Sequence, residues 1–178
     1  MEDKKDFRKA QLEDLPNLLN LYLGSIELMG LKGIDQWDDV YPNELVLTQD
    51  VVNQELFVLE EEDGLAAAIV LNEEQEPQYR YVDWKYHTGK VGVIHRLCVN
   101  AGYQGRGCGK KIARFAEEYF RGQDFNAIRL DAFPKNLPAI HLYQSLGYEH
   151  CGRILLRKGV FHCFEKSLTV ELQEEQML

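Results

Sequence analysis

No apolar run in this 178-residue chain approaches the ~18 residues that a membrane span requires. The first ten residues, MEDKKDFRKA, carry charges without an apolar centre and therefore do not read as a secretory signal. Positive charge is also in deficit: 20 Lys and Arg face 29 Asp and Glu, a net charge of −9, which argues against nucleic acid or an anionic membrane as the main partner. Cysteine is sparse. Cys98, Cys108, Cys151 and Cys163 show no C-x-x-C spacing and no paired histidines at zinc-site intervals, so neither a disulfide framework nor a metal site is expected. They read as small, reduced, buried hydrophobes. No repeat or low-complexity segment interrupts the chain. A cytoplasmic location is the expectation.

What remains is an ordinary globular composition, with 45% hydrophobic and 28% charged residues. The length suits one domain that buries roughly 70% of its unfolded surface around a single core.

The most informative stretch runs from Val91 to Phe120. Val91, Val93, Ile94, Leu97 and Val99 make a short, mostly apolar run that predicts a well-buried strand ending at Asn100-Ala101-Gly102. After Gly109, the residues Ile112, Phe115, Ala116 and Tyr119 recur at i, i+3, i+4 and i+7, one face of a helix. Between strand and helix lies a loop with glycine at 105, 107 and 109. The first amides of a helix lack internal partners and sit at the positive end of its dipole. Glycines there let a bulky anion approach the backbone. Charge agrees, since residues 103–114 contain Arg106, Lys110, Lys111 and Arg114 and no acid. A compact polyanion fits such an island better than a long one.

Two familiar phosphate loops do not fit. A Walker loop would need glycine where Gln104 stands and Ser or Thr where Lys111 stands; a dinucleotide fingerprint starting at Gly105 would need glycine at Lys110.

Along the rest of the chain, Phe7–Ala10 predicts a first strand. A helix should begin between Gln11 and Leu15, with Pro16 in its first turn and Gly30 and Gly33 at its end. Gln36 to Pro42 is an aromatic loop. Leu56–Leu59 and Leu65–Leu71, separated by acids and Asp63-Gly64, predict a hairpin. Residues 73–90 read as an extended or mobile insertion. Ala127–Phe133 predicts a strand stopped at Pro134. Asn136 should cap a helix with Pro138 in its first turn and Gly147 as terminator. A last hairpin spans Tyr148–Leu156 and Val160–Leu168, and a frayed tail should follow from Thr169.

The Gln104-Gly105-Arg106-Gly107-Cys108-Gly109 pattern, Q-x-x-G-x-G, resembles the acyl-CoA pyrophosphate loop of the GNAT superfamily of N-acyltransferases. The segment from Asn136 to Tyr148 looks like that family's N-x-x-A-x-x-L-Y-x-x-x-G-F/Y stretch. The order of elements also resembles the family over almost the whole chain. The resemblance implies a single-domain α/β (α+β) GNAT fold over 5–168, with a mixed, mostly antiparallel sheet of about seven strands and about four helices, and a C-terminal tail over 169–178. It further implies an N-acetyltransferase that uses acetyl-CoA as co-substrate and passes the acetyl group directly to a primary amine of a small molecule or peptide. A non-catalytic acyl-CoA sensor and a protein N-terminal acetyltransferase are the alternatives, and a homodimer stays open.

Carried onto this sequence, the resemblance puts pantetheine along Leu97, Cys98 and Val99, the pyrophosphate against Gln104, Gly105, Arg106, Gly107, Cys108, Gly109 and Lys110, and the cofactor's flank near Asn136. A lysine-like amine is only about one part in 10³ neutral at pH 7, so the chemistry wants a base. It also wants a donor toward the oxyanion, expected to be the Cys98 or Val99 amide, and a proton for the leaving thiolate. Tyr143 matches the family tyrosine beside the sulfur. His95, at a position like a strand histidine of serotonin N-acetyltransferase, and Asp131, at a place like the acidic base of ribosomal-protein alanine acetyltransferases, are the candidate bases. The histone acetyltransferase glutamate would fall on Val93. Gln36, Trp37 and Tyr41 are the expected acceptor contacts. His87, His141, His150 and His162 read as surface or packing residues without partners.

Overall fold

The computed structural model describes residues 7–169. The ends of the expected boundaries, residues 5–6 and 170–178, lie outside that range. Seven strands form one sheet: β1 (Phe7–Lys9), β2 (Leu56–Glu61), β3 (Gly64–Asn72), β4 (Lys90–Val99), β5 (Phe125–Ala132), β6 (Glu149–Leu156) and β7 (Gly159–Ser167). They lie in the order β1-β2-β3-β4-β5-β7-β6. Among the described residues the β4–β5 pair alone is parallel. Four helices flank the sheet: α1 (Leu15–Leu31), α2 (Glu44–Val52), α3 (Cys108–Arg121) and α4 (Leu137–Ser145).

Alternation along the strands separates the two faces. On β2, Leu56 and Val58 join Leu18, Leu21 and Tyr22 of α1 and Leu47 and Val51 of α2. Phe57 and Leu59 point the other way, into a cluster with Ile112, Ala116 and Phe120 of α3. Covered on both faces, β3 is buried from Leu65 to Leu71, which explains why it reads as one continuous apolar run. Close packing extends to the backbone at Gly92, where a Cβ would fall 2.5 Å from the Phe120 ring.

Three sequence expectations need correction. The sequence pattern places no helix at α2; the local signal for it is the Asn43 cap, whose side chain accepts from the Val46 amide at 3.1 Å. The 73–90 segment is neither extended nor loose. It contains a short 3-10 turn over Pro77–Tyr81 and buries Tyr79, Val82 and Trp84 against Val93, Phe133 and Cys163, making a third apolar cluster. The segment also covers a buried ion pair, Arg129–Glu165, 3.0 Å apart. Finally, His150 and His162 are not isolated, because their rings meet edge-on at 4.9 Å across the last hairpin.

The feature that makes the site is a break in the sheet. The β4–β5 pairing runs only from Lys90↔Phe125 to Val93↔Arg129. Beyond it β4 continues beside β3, whereas β5 continues beside β7. The two strands therefore part, and a cleft opens between residues 94–99 and residues 130–132. This is also why Leu97 and Val99 are only half-buried, less than the sequence pattern suggests.

Candidate functional site

A single cavity of about 770 Å³ fills the cleft and continues to the glycine loop at one end and the 34–41 loop at the other. Of the expected cofactor residues, Leu97, Cys98, Val99, Gln104, Gly105, Gly107, Cys108, Gly109, Lys110 and Asn136 line it. Arg106 does not; its guanidinium lies over the Tyr103 ring, 5.1 Å from the centroid. The expected acceptor contacts Gln36, Trp37 and Tyr41 and the expected catalytic residues His95, Asp131 and Tyr143 line the same cavity.

The loop end has open backbone at the start of a helix, the geometry that suits an anion. Gly107 caps α3 with φ +81°, and Gly105 has φ +77°, backbone conformations that side chains disfavour. A Cβ at either position would meet nothing within 4 Å beyond its own chain neighbours, so the space in front of them is open. The first helical bond of α3 runs from the Lys111 amide to the Gly107 carbonyl at 3.0 Å. The amides of residues 108–110 therefore precede the point at which the helix can satisfy its own donors. At Gly109 a Cβ would touch Leu142 at 3.4 Å and Val99 at 3.5 Å, so α3, α4 and the end of β4 converge there.

The cleft edge of β4 presents main-chain donors. The Asn100 amide bonds back to Ala66 of β3 at 2.8 Å. By antiparallel alternation Cys98 faces β3 as well, whereas Leu97 and Val99 direct their amides across the cleft. Of the two amides anticipated for an oxyanion, that of Val99 has the right direction and that of Cys98 does not.

One extra residue in β4 sets this register. Val70 pairs with His95 and Ala68 with Cys98, so three residues of β4 advance against two of β3. Arg96 occupies the bulge with φ +50°, and its carbonyl accepts from the Tyr22 hydroxyl at 2.6 Å. Its guanidinium grips both Asp50 oxygens at 2.8 and 2.6 Å and reaches the Tyr41 hydroxyl at 2.6 Å. Asp50 and Arg96 are residues that the sequence alone did not single out; an Arg next to a strand histidine carries no sign of a bulge.

His95 and Asp131 differ sharply. The Asn72 amide orientation is fixed, since its Nδ2 donates to Glu55 at 3.0 Å and its Oδ1 accepts from the Glu74 amide at 3.0 Å. The same Oδ1 lies 2.8 Å from His95 Nε2, which must therefore carry hydrogen. Burial, reinforced by the nearby Arg96 charge, pushes the imidazole down to about 4. On β5, burial pushes the Asp131 carboxyl up to about 6, although a hydrogen bond from the Tyr79 hydroxyl to Oδ2 at 2.7 Å favours the charged form. Tyr143, on α4 and 6% exposed, is raised above the usual phenol range by burial and by Asp131, so it stays protonated.

At the cavity's far end Asn136 ties the halves together. Its Oδ1 accepts from the Ala139 amide at 3.3 Å to start α4, and its Nδ2 donates to Gln36 Oε1 at 2.9 Å. Trp37 packs on Tyr22, ring centroids 5.6 Å apart. The Arg157 guanidinium holds Asp38 at 2.8 and 2.9 Å, which brings the turn of the last hairpin over the same loop. Among the described residues no helix is long and apolar enough to cross a membrane.

Comparison with known proteins agrees with this architecture. The family model described as Acetyltransferase (GNAT) family matches residues 18–148. An uncharacterized N-acetyltransferase, YesJ, of Bacillus subtilis (strain 168) is 25% identical over 165 residues, covering 91% of this chain and 89% of that protein. Aminoglycoside N(6')-acetyltransferase type 1 of Klebsiella pneumoniae is 33% identical over 78 residues, covering 43% of this chain and 39% of that protein. Among solved structures, a GNAT-family acetyltransferase from Streptococcus agalactiae 2603 superposes with a TM-score of 0.81 at 24% identity, over 90% of this chain and 94% of that one. The seven-stranded sheet, its four helices, its break after Val93 and the family match lead to one conclusion: the chain belongs to the GNAT family of acetyltransferases.

Proposed function

We propose that this protein is an N-acetyltransferase that moves the acetyl group of acetyl-CoA directly to a primary amine of a small molecule or peptide. The observation that carries the proposal is the continuity of one cavity past Gly105, Gly107 and Gly109, the free edge of β4, and the Asp131–Tyr143 pair. An anion cradle, a main-chain edge and an acid–base pair are what binding a CoA thioester beside an amine requires.

In this reading, the amides at the start of α3 and the Lys110 ammonium hold the pyrophosphate, and the edge of β4 orients the pantetheine arm. The bound acetyl-CoA supplies the activated acyl group. Asp131, ionised above about pH 6, takes one proton from the acceptor ammonium, directly or through a water. The freed nitrogen lone pair forms the new C–N bond while the Val99 amide steadies the charge that develops on the carbonyl oxygen. As the C–S bond breaks, the Tyr143 hydroxyl gives its proton to sulfur and regains one from the acylated nitrogen. The products are the amide, free CoA thiol and one proton left on Asp131. His95 fits the role of base less well, because an imidazole held near 4 takes up a proton weakly at neutral pH.

Calorimetric titration of acetyl-CoA into the protein tests the proposal. One site per chain is expected, weakened by Lys110→Glu. Absence of binding overturns it. Acetyl-CoA consumption against a panel of amines, amino acids, polyamines and short peptides then identifies the acceptor.

A further inference from the structure

The 73–90 segment crosses the face of β5 that carries Asp131. Arg129 and Asp131 are two apart on that strand and share this face. Arg129 holds the segment at both ends, donating to the Gln75 side chain at 2.8 Å and the Tyr86 carbonyl at 2.7 Å. Glu165 accepts from Arg129 at 3.0 Å and from the Lys85 amide at 2.8 Å. Within the segment, the Trp84 indole lies over the Arg129 guanidinium, 4.4 Å from ring to charge, and donates to the Tyr79 carbonyl at 2.8 Å. Tyr79, 2% exposed, then delivers its hydroxyl to Asp131 Oδ2 at 2.7 Å. These contacts form one chain of support, from a buried ion pair through a strap to a single carboxylate oxygen. Among the described residues none donates to the other oxygen, and Asp131 lines the cavity.

We infer that Tyr79 is a positioning residue for acyl transfer: held by the Arg129–Glu165 anchor, it fixes Asp131 so that one oxygen is occupied and the other is presented to the acceptor. This rests on the reading of Asp131 as base. The groups that face Asp131 or act on it are Tyr79 and Glu76 from the strap, Tyr143 from α4, Tyr41 from the acceptor loop and Cys163 directly across from it on β7. Of these, Tyr79 alone hydrogen-bonds the carboxylate.

Tyr79→Phe removes the donor and keeps the ring that packs on Trp84. The carboxyl carbon of Asp131, followed by carbon-13 NMR against pH, gives a readout that requires no knowledge of the acceptor. Its midpoint in the native protein is expected near 6, and in Tyr79→Phe it should rise by about one pH unit through loss of a charge-assisted bond. The acid limb of kcat/KM should move the same way, with acetyl-CoA affinity unchanged. An unmoved midpoint and acid limb overturn the inference. Asp131→Asn separates the two ideas: if it abolishes the acid limb while Tyr79→Phe leaves that limb in place, only the positioning role fails; if it leaves both rate and limb intact, the assignment of Asp131 as base fails and the role of Tyr79 with it.

Discussion

The Arg96 guanidinium and the Asp50 carboxylate meet face to face through two hydrogen bonds of 2.8 and 2.6 Å, their side chains 12% and 8% exposed. The pair holds a non-glycine residue in a left-handed conformation, which costs about 1 kcal/mol, and keeps β4 in the register that sends the Val99 amide into the cleft. Asp50→Ala leaves the guanidinium buried with only Tyr41 as a side-chain partner. We expect a loss of about 3–5 kcal/mol in urea unfolding, together with weaker turnover as the bulge relaxes.

Tyr143→Phe should lower kcat by about 10²-fold, the scale of one general-acid contribution, and leave the acetyl-CoA dissociation constant within about twofold, because in the proposed mechanism the lost hydroxyl serves the departing sulfur and not the bound cofactor. Steady-state kinetics and calorimetry on the same preparation check both parts. Unaltered kcat would return this tyrosine to a packing role beside Tyr148, 5.7 Å away.

The two candidate bases should separate cleanly. Asp131→Asn is expected to lose about 10²–10³-fold in kcat/KM at pH 7.5, whereas His95→Gln, which can still donate to Asn72, should stay within about threefold of the native enzyme. The reverse ordering would make the histidine the base.

Stability should carry the opposite sign. A carboxyl raised from 3.8 to about 6 binds more protons folded than unfolded, so its folded-state advantage is present below about pH 4 and is lost as pH rises through 6. Asp131→Asn should therefore stabilise the protein by about 2 kcal/mol at pH 7.5 and by little at pH 4. His95, lowered to about 4, contributes in the other direction: its stabilisation is complete above its unfolded value and falls away as pH drops from 6.5 toward 4. Urea midpoints for the native protein and both variants at pH 4, 5.5 and 7.5 resolve the two contributions.

Gly92→Ala should cost about 1–3 kcal/mol by overpacking, because its Cβ would lie 2.5 Å from the Phe120 ring with the sheet behind it. A thermal melt checks it, with Gly24→Ala as the control, since beyond its own helix backbone nothing lies within 4 Å there.

Much of this was legible in the sequence for physical reasons. The glycine loop, the Asn136 cap and the Asp63-Gly64 turn are local devices, each written in a few adjacent residues, and they set where β4, α3 and α4 begin and end. The residues that line the cavity from those elements followed. What stayed hidden depends on meetings between distant residues. Tyr79 reaches Asp131 across 52 positions and Arg96 reaches Asp50 across 46, and nothing in the local pattern around Tyr79 distinguishes a polar aromatic insertion from a packed strap. Helix α2 escaped because its nine residues mix Thr, Gln and Asp with the apolar ones and leave Leu45 and Val52 exposed. The choice between the Cys98 and Val99 amides was equally out of reach, since a one-residue bulge reverses direction and sequence periodicity does not count bulges.

The unzipping of β4 from β5 after Val93 has a consequence for how this protein can change. Every ladder bond that would close the seam would add order to the sheet and abolish the slot at the same stroke. Variants selected for heat resistance alone should therefore accumulate around the rim of that gap, and the fastest route to a sturdier chain leads through a mute one.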